Sequence, residues 1–166
     1  MSRGMLMVGV ACLAGLMPSV ALGQTRIERA VISLQRSADQ YEEQAHARMV
    51  RTCELTVARI ERYDERGSSD SLIERTSDRG QAEIDRLANS AYRSAQRKLR
   101  STQSTLRRLR ADETTRAEAD AIVASTWDTL AASMEETKAP IVAAEAAALS
   151  DSDDNGSGDD SGNGEA

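Results

Sequence analysis

Phenylalanine is absent from this 166-residue chain, tryptophan occurs once, at Trp127, and tyrosine three times. A thick core built on aromatic anchors is therefore excluded. Proline stands only at Pro18 and Pro140, and between Gln24 and Ala139 the only glycines are Gly67 and Gly80. So few breakers over so long a span exclude a sheet of short strands, which needs a turn signal every few residues. His46 is the only histidine, and Cys53 the only cysteine after Cys12. A structural zinc site needs more nitrogen and sulfur ligands than these. There is no nucleotide-binding glycine loop, no HExxH and no serine elbow, and no acid sits in an apolar run that would raise its pKa for acid catalysis. The expectation is a protein with no catalytic residues and no cofactor of its own.

What is present begins with an export signal. Arg3 is followed by the uncharged apolar run Met5 to Met17, Pro18 breaks it, and Ala21-Leu22-Gly23 supplies the small residues that a signal peptidase reads. Residues 1–23 therefore read as a secretory signal peptide cut between Gly23 and Gln24, which places the mature chain in a periplasm or outside the cell. Lipidation at Cys12 is disfavoured, because Gly9 stands where a leucine is wanted and the cut would leave half the apolar run on the product. The run is shorter than the roughly 20 residues of a membrane span, and no transmembrane segment is expected in the mature chain. The preference for Arg over Lys fits a bacterial source with a GC-rich genome.

Charge comes in blocks. Residues 24–66 hold eight Arg and eight acids, and Arg86 to Arg110 hold eight cations and no acid. Residues 111–150 hold eight acids against Arg116 and Lys138, and the segment from Asp151 adds six acids and no cation. Such blocks pair internally as readily as with a partner.

The middle of the chain repeats at helical spacing. Ile27, Val31, Leu34, Ala38, Tyr41, Ala45, Met49, Cys53, Val57 and Ile60 recur every 11/3 residues, a helix period that favours straight or slightly right-handed packing over a left-handed coiled coil. Residues 66–70 read as a turn, with Gly67 as helix terminator and Ser71 with Glu74 as the capping box of a second helix; Asp78 with Gln81 is a competing start. That helix carries Ile73, Thr76, Gly80, Ile84, Leu87, Ala91, Ala95, Lys98, Thr102, Leu106 and Leu109 at the same step. A third helix, restarting near Thr115 with Glu118, presents Ala119, Ile122, Val123, Trp127, Leu130 and Met134. Pro140 is expected to end or restart it, leaving Ile141 to Leu149 as a short further piece. The fold class is all-α: a long antiparallel helical hairpin extended to a three-helix bundle over residues 24–149, with a disordered acidic tail over 150–166.

Arg79, Arg86, Arg93, Arg100 and Arg107 recur every seven residues and form one stripe, suited to phosphate, an anionic surface or an acidic partner unless the third helix or the tail neutralises it. Nucleic acid is not the expected partner, since Tyr92 alone could stack on bases. Cys53 reads either as a buried structural thiol or as an intermolecular disulfide. Asp151, Asp153, Asn155 and Asp159, with Gly156 as the turn glycine, match EF-hand-like calcium positions, but Gly162 replaces the bidentate acid, so any calcium site is weak. The functional expectation is an exported, non-enzymatic interaction or scaffold protein that docks a protein partner or a second copy of itself. The alternatives are binding of an anionic envelope ligand through the arginine stripe, or weak calcium binding by the tail.

Overall fold

The computed structural model describes the backbone of residues 18–154 and the side chains of residues 24–150. It holds three helices, α1 (Pro18–Asp64), α2 (Asp70–Arg108) and α3 (Glu113–Asp154), each packed on the other two. The pairs Ser77–Glu145, Asp85–Lys138 and Gln103–Asp120 advance along α2 as they retreat along α3, so these helices are antiparallel. The short turn after Asp64 makes α2 antiparallel to α1 as well. The result is an up-down-up three-helix bundle. The signal-peptide run before Pro18 and the tail beyond Asp154 lie outside the described residues, and the expected cut after Gly23 falls within the first turns of α1.

An eleven-residue rhythm puts the core together in all three helices. Ile73, Ile84, Ala95 and Leu106 are at most 1% exposed. Leu34, Ala45 and Thr56 in α1, and Ala119, Leu130 and Ile141 in α3, repeat the spacing and are buried too. Eleven residues make almost three full turns at 3.6 per turn, so such positions stay on one side of a long helix. All ten positions expected in α1 are buried or half-buried. In α2 the expected Thr76 and Leu87 are half-buried, and full burial goes to Ser77 and Ala88 one position on, because α3 closes over that flank.

The core is thin and partly hydroxylic. Thr56, Ser77, Thr102, Thr126 and Thr137 are buried among Ala, Ile and Leu. Three of these hydroxyls donate back to the carbonyl four residues earlier: Thr56 to Thr52 at 2.8 Å, Thr126 to Ile122 at 3.0 Å and Thr137 to Ser133 at 2.6 Å. A hydroxyl satisfied inside its own helix avoids the cost of an unpaired buried polar group.

Four expectations about helix ends are corrected. First, α2 begins at Asp70 with Ser69 as N-cap and no side-chain capping bond, so Ser71 and Glu74 form no capping box. Second, the helix is continuous through Asp78, which removes the competing start there. Third, α3 starts at Glu113 because Asp112 Oδ1 accepts the backbone N–H of Thr115 at 2.7 Å; the start near Thr115 and Glu118 lies inside the helix. Fourth, Pro140 neither ends nor restarts α3, and no fourth segment exists among the described residues. Pro140 and Glu136, whose carbonyl loses its partner, are both exposed, so water can take the freed oxygen.

The two turns use the same device with different residues. Gly67 has φ +62, and the N–H groups of Gly67 and Ser68 donate to Asp64 and Tyr63 at 2.8 and 2.9 Å. Arg110 has φ 56, and the N–H groups of Arg110 and Ala111 donate to Arg107 and Leu106 at 3.1 and 2.9 Å. Both are Schellman ends, and Ala111 packs in one cluster with Leu106, the apolar contact this motif favours.

Candidate docking face on the second helix

The fold turns the arginine stripe outward. Ile73, Ile84, Ala95 and Leu106 hold one side of α2 in the core, so Arg79, Arg86, Arg93, Arg100 and Arg107 are all exposed. A seven-residue step slips by about 20° per repeat on an ideal helix. The row therefore runs obliquely across the free face, and its far end arrives beside α3. There Leu99, Arg100, Gln103, Arg107 and Arg108 border a shallow groove with Asp120. A second shallow groove lies along Arg86, Asn89, Arg93 and Arg97.

The acidic third helix does not neutralise the row. Asp120 accepts from Gln103 Nε2 at 2.6 Å, and Glu145 accepts from the buried Ser77 hydroxyl at 2.6 Å. The inter-helix ion pair among the described residues runs the other way, from Lys138 of α3 to Asp85 of α2. Within the row only Arg86 has a carboxylate partner among the described residues, Glu83 at 3.4 Å, and both side chains are largely solvated. An exposed pair of that kind contributes about 0–1 kcal/mol. Arg97 donates to Ser94 Oγ at 2.9 Å, which holds the guanidinium near the helix surface and leaves its charge unpaired.

The other singled-out residues scatter. His46 is exposed on α1. Cys53 is free and 7% exposed, packed with Met49, Ile60 and Leu130. Burial, with the Glu54 charge as a lesser cause, pushes its thiol above the ordinary range. A disulfide between copies would need this sulfur to leave the core. Asp151 and Asp153 lie in the helical backbone at the end of α3, while Asn155 and Asp159 fall outside the described residues. Among the described residues no group of three or more His, Cys, Asp or Glu is placed to hold a metal. No helix there is long and apolar enough to cross a membrane.

Two features escaped sequence reading. Glu42, half-buried between α1 and α3, has its pKa raised by burial, against the lowering effect of the nearby Thr126 hydroxyl; the Asp39 charge raises it further. Its place was legible, since it lies eleven residues from both Val31 and Cys53. Tyr92 and Trp127 meet at a ring-centroid distance of 4.8 Å and 48°, an inter-helix contact that no spacing within one helix reveals. At the end where α1 begins, a groove of about 800 Å³ is lined by Ile27, Val31, Ile32, Leu109 and Ala111, with Glu28 and Glu118 at its edge. No family model matches the chain, and neither a curated protein nor a solved structure matches it.

Proposed function

We propose that this chain is an exported, non-enzymatic interaction protein of a bacterial envelope or the extracellular space, and that it docks an acidic partner on the arginine-bearing face of α2. The observation that carries the reading is the row Arg79, Arg93, Arg100 and Arg107, exposed and without a carboxylate partner among the described residues. Solvated arginines gain by meeting carboxylates or phosphates, whose paired oxygens fit the planar guanidinium fork. Export rests on the leader-like residues 1–23, and the role as a docking protein follows from a surface that offers charge without a constellation of reacting groups.

The experiment is retention on an anionic phosphate resin. Replacing Arg86, Arg93, Arg100 and Arg107 with Gln leaves the core untouched and should lower the salt needed for elution severalfold. Elution at the same salt would sink the reading. Export is checked separately, by N-terminal sequencing of the protein recovered outside the cytoplasm, which should begin at Gln24.

A further inference from the structure

The bundle is electrically polar along its length. Gly80 lies against Thr56, so the level of Arg86 in α2 corresponds to about residue 50 of α1, and on the other flank Asp85 meets Lys138 of α3. Divided at that level, residues 24–50 and 86–137 carry thirteen cations and eleven acids. Residues 51–85 and 138–154 carry seven cations and thirteen acids, and the sequence beyond Asp154 adds three more acids, sixteen in all. Eight of the thirteen cations stand in the acid-free run from Arg86 to Arg110, and six of the sixteen acids follow Ser150.

The acidic segment leaves the bundle at the wrong end to cover the far part of its own row. Glu145 is level with Ser77, so the end of α3 at Asp154 stands near the level of Ser68. From there Arg100 and Arg107 are about 48 and 58 Å away at 1.5 Å per residue. The twelve residues 155–166 reach at most about 43 Å fully stretched. On the intervening stretch of α2, Asp70, Glu74, Asp78, Glu83 and Asp85 stand among Arg75, Arg79 and Arg86, so acids outnumber cations there.

We infer that the partner of the arginine row is a second copy of this chain: two rods lie antiparallel, side by side, and the acidic end of each covers Arg93, Arg100 and Arg107 of the other. This rests on the docking reading above. An antiparallel pair makes the same contact twice around a two-fold axis and closes, so each contact holds the other in place. A parallel pair would set arginines against arginines and acids against acids.

Sedimentation velocity on the chain from Gln24 onward tests it, at about 20 mM and about 500 mM salt, where the Debye length falls from roughly 20 Å to 4 Å. The expected mass is that of a dimer at low salt and of a monomer at high salt. Deleting residues 151–166, or replacing Arg93, Arg100 and Arg107 with Gln, should each weaken pairing at least about tenfold. Neither change reaches the core, whose last buried residue among those described is Ala148. In a mixture of the two variants one of the two contacts is restored, since one chain supplies the acidic segment and the other the arginines, so pairing should be stronger than in either variant alone. A monomer at low salt, growth beyond the dimer, or variants that pair as the unaltered chain does would overturn the inference. If the chain is monomeric at low salt but the arginine substitutions still weaken its hold on the phosphate resin, the docking face stands and the second copy is not its partner. If retention is also unchanged, both readings fail.

Discussion

A Cβ placed on Gly80 would stand 2.5 Å from Thr56 Cγ2 and 2.6 Å from Thr56 Oγ1, so α1 and α2 meet here with only a glycine hydrogen between them. The Thr56 hydroxyl is tied to the Thr52 carbonyl, so the side chain has little freedom to swing aside. Glycine inside a helix costs about 1 kcal/mol against alanine, and the close approach offsets that cost through the contacts it allows on either side.

Gly80→Ala should therefore destabilise the bundle by about 1–3 kcal/mol despite its better helix propensity. Urea unfolding followed by circular dichroism measures it. In a Thr56→Ala background the penalty should shrink to less than half, since the two offending atoms are gone and only the Thr56 Cβ, at 3.0 Å, remains. An alanine variant as stable as the parent would show that the helices part there at no cost.

Arg110 holds φ 56, a conformation that costs a non-glycine residue about 1–2 kcal/mol. Arg110→Gly keeps both Schellman bonds and removes that cost, so the unfolding midpoint should rise, by about 1 kcal/mol in stability. The matching change at the other turn, Gly67→Ala, should lower it. A loss of stability in Arg110→Gly would mean that the arginine side chain holds this turn in some other way.

Two carboxylates give the bundle opposite responses to acid. Glu42 has its folded pKa raised, chiefly by burial, so the folded state holds its proton more tightly than the unfolded chain. Its contribution is fully present below the ordinary glutamate range and is lost as pH rises through the raised value. Asp112 has its pKa lowered, first by the backbone N–H of Thr115, so its contribution is present above the ordinary aspartate range and is lost as pH falls through the lowered value. Urea midpoints between about pH 3 and 7 should show Glu42→Gln flattening the decline above the glutamate range. Asp112→Asn should flatten the decline at the acid end. Unchanged profiles would remove both assignments.

Much of the scaffold was legible because a helix repeats. Once Ile73, Ile84, Ala95 and Leu106 are seen eleven apart, the buried side of α2 follows, and its exposed arginines follow from the same geometry. Thr56 and Thr137 were legible in principle too, one step from Ala45 and from Thr126, but a hydroxyl is not counted as core until its bond to the preceding turn is seen. The starts of α2 and α3 were misplaced because Ser, Thr and Asp all cap well in isolation. Which one does so depends on where the packed helix has to begin. Pro140 was misread for a related reason, since its usual effect is local and the exposed side of a packed helix tolerates it.

The sequence by itself determined that the chain is helical, where its charges gather and which residues share a side of each rod, because these follow from spacing along one chain. Tertiary structure alone decided that Gly80 meets Thr56, that Tyr92 meets Trp127, and that α3 leaves the arginine row unpaired. Each depends on the register between helices. That register is set by how side chains from distant parts of the chain fill common space, which no single helix encodes.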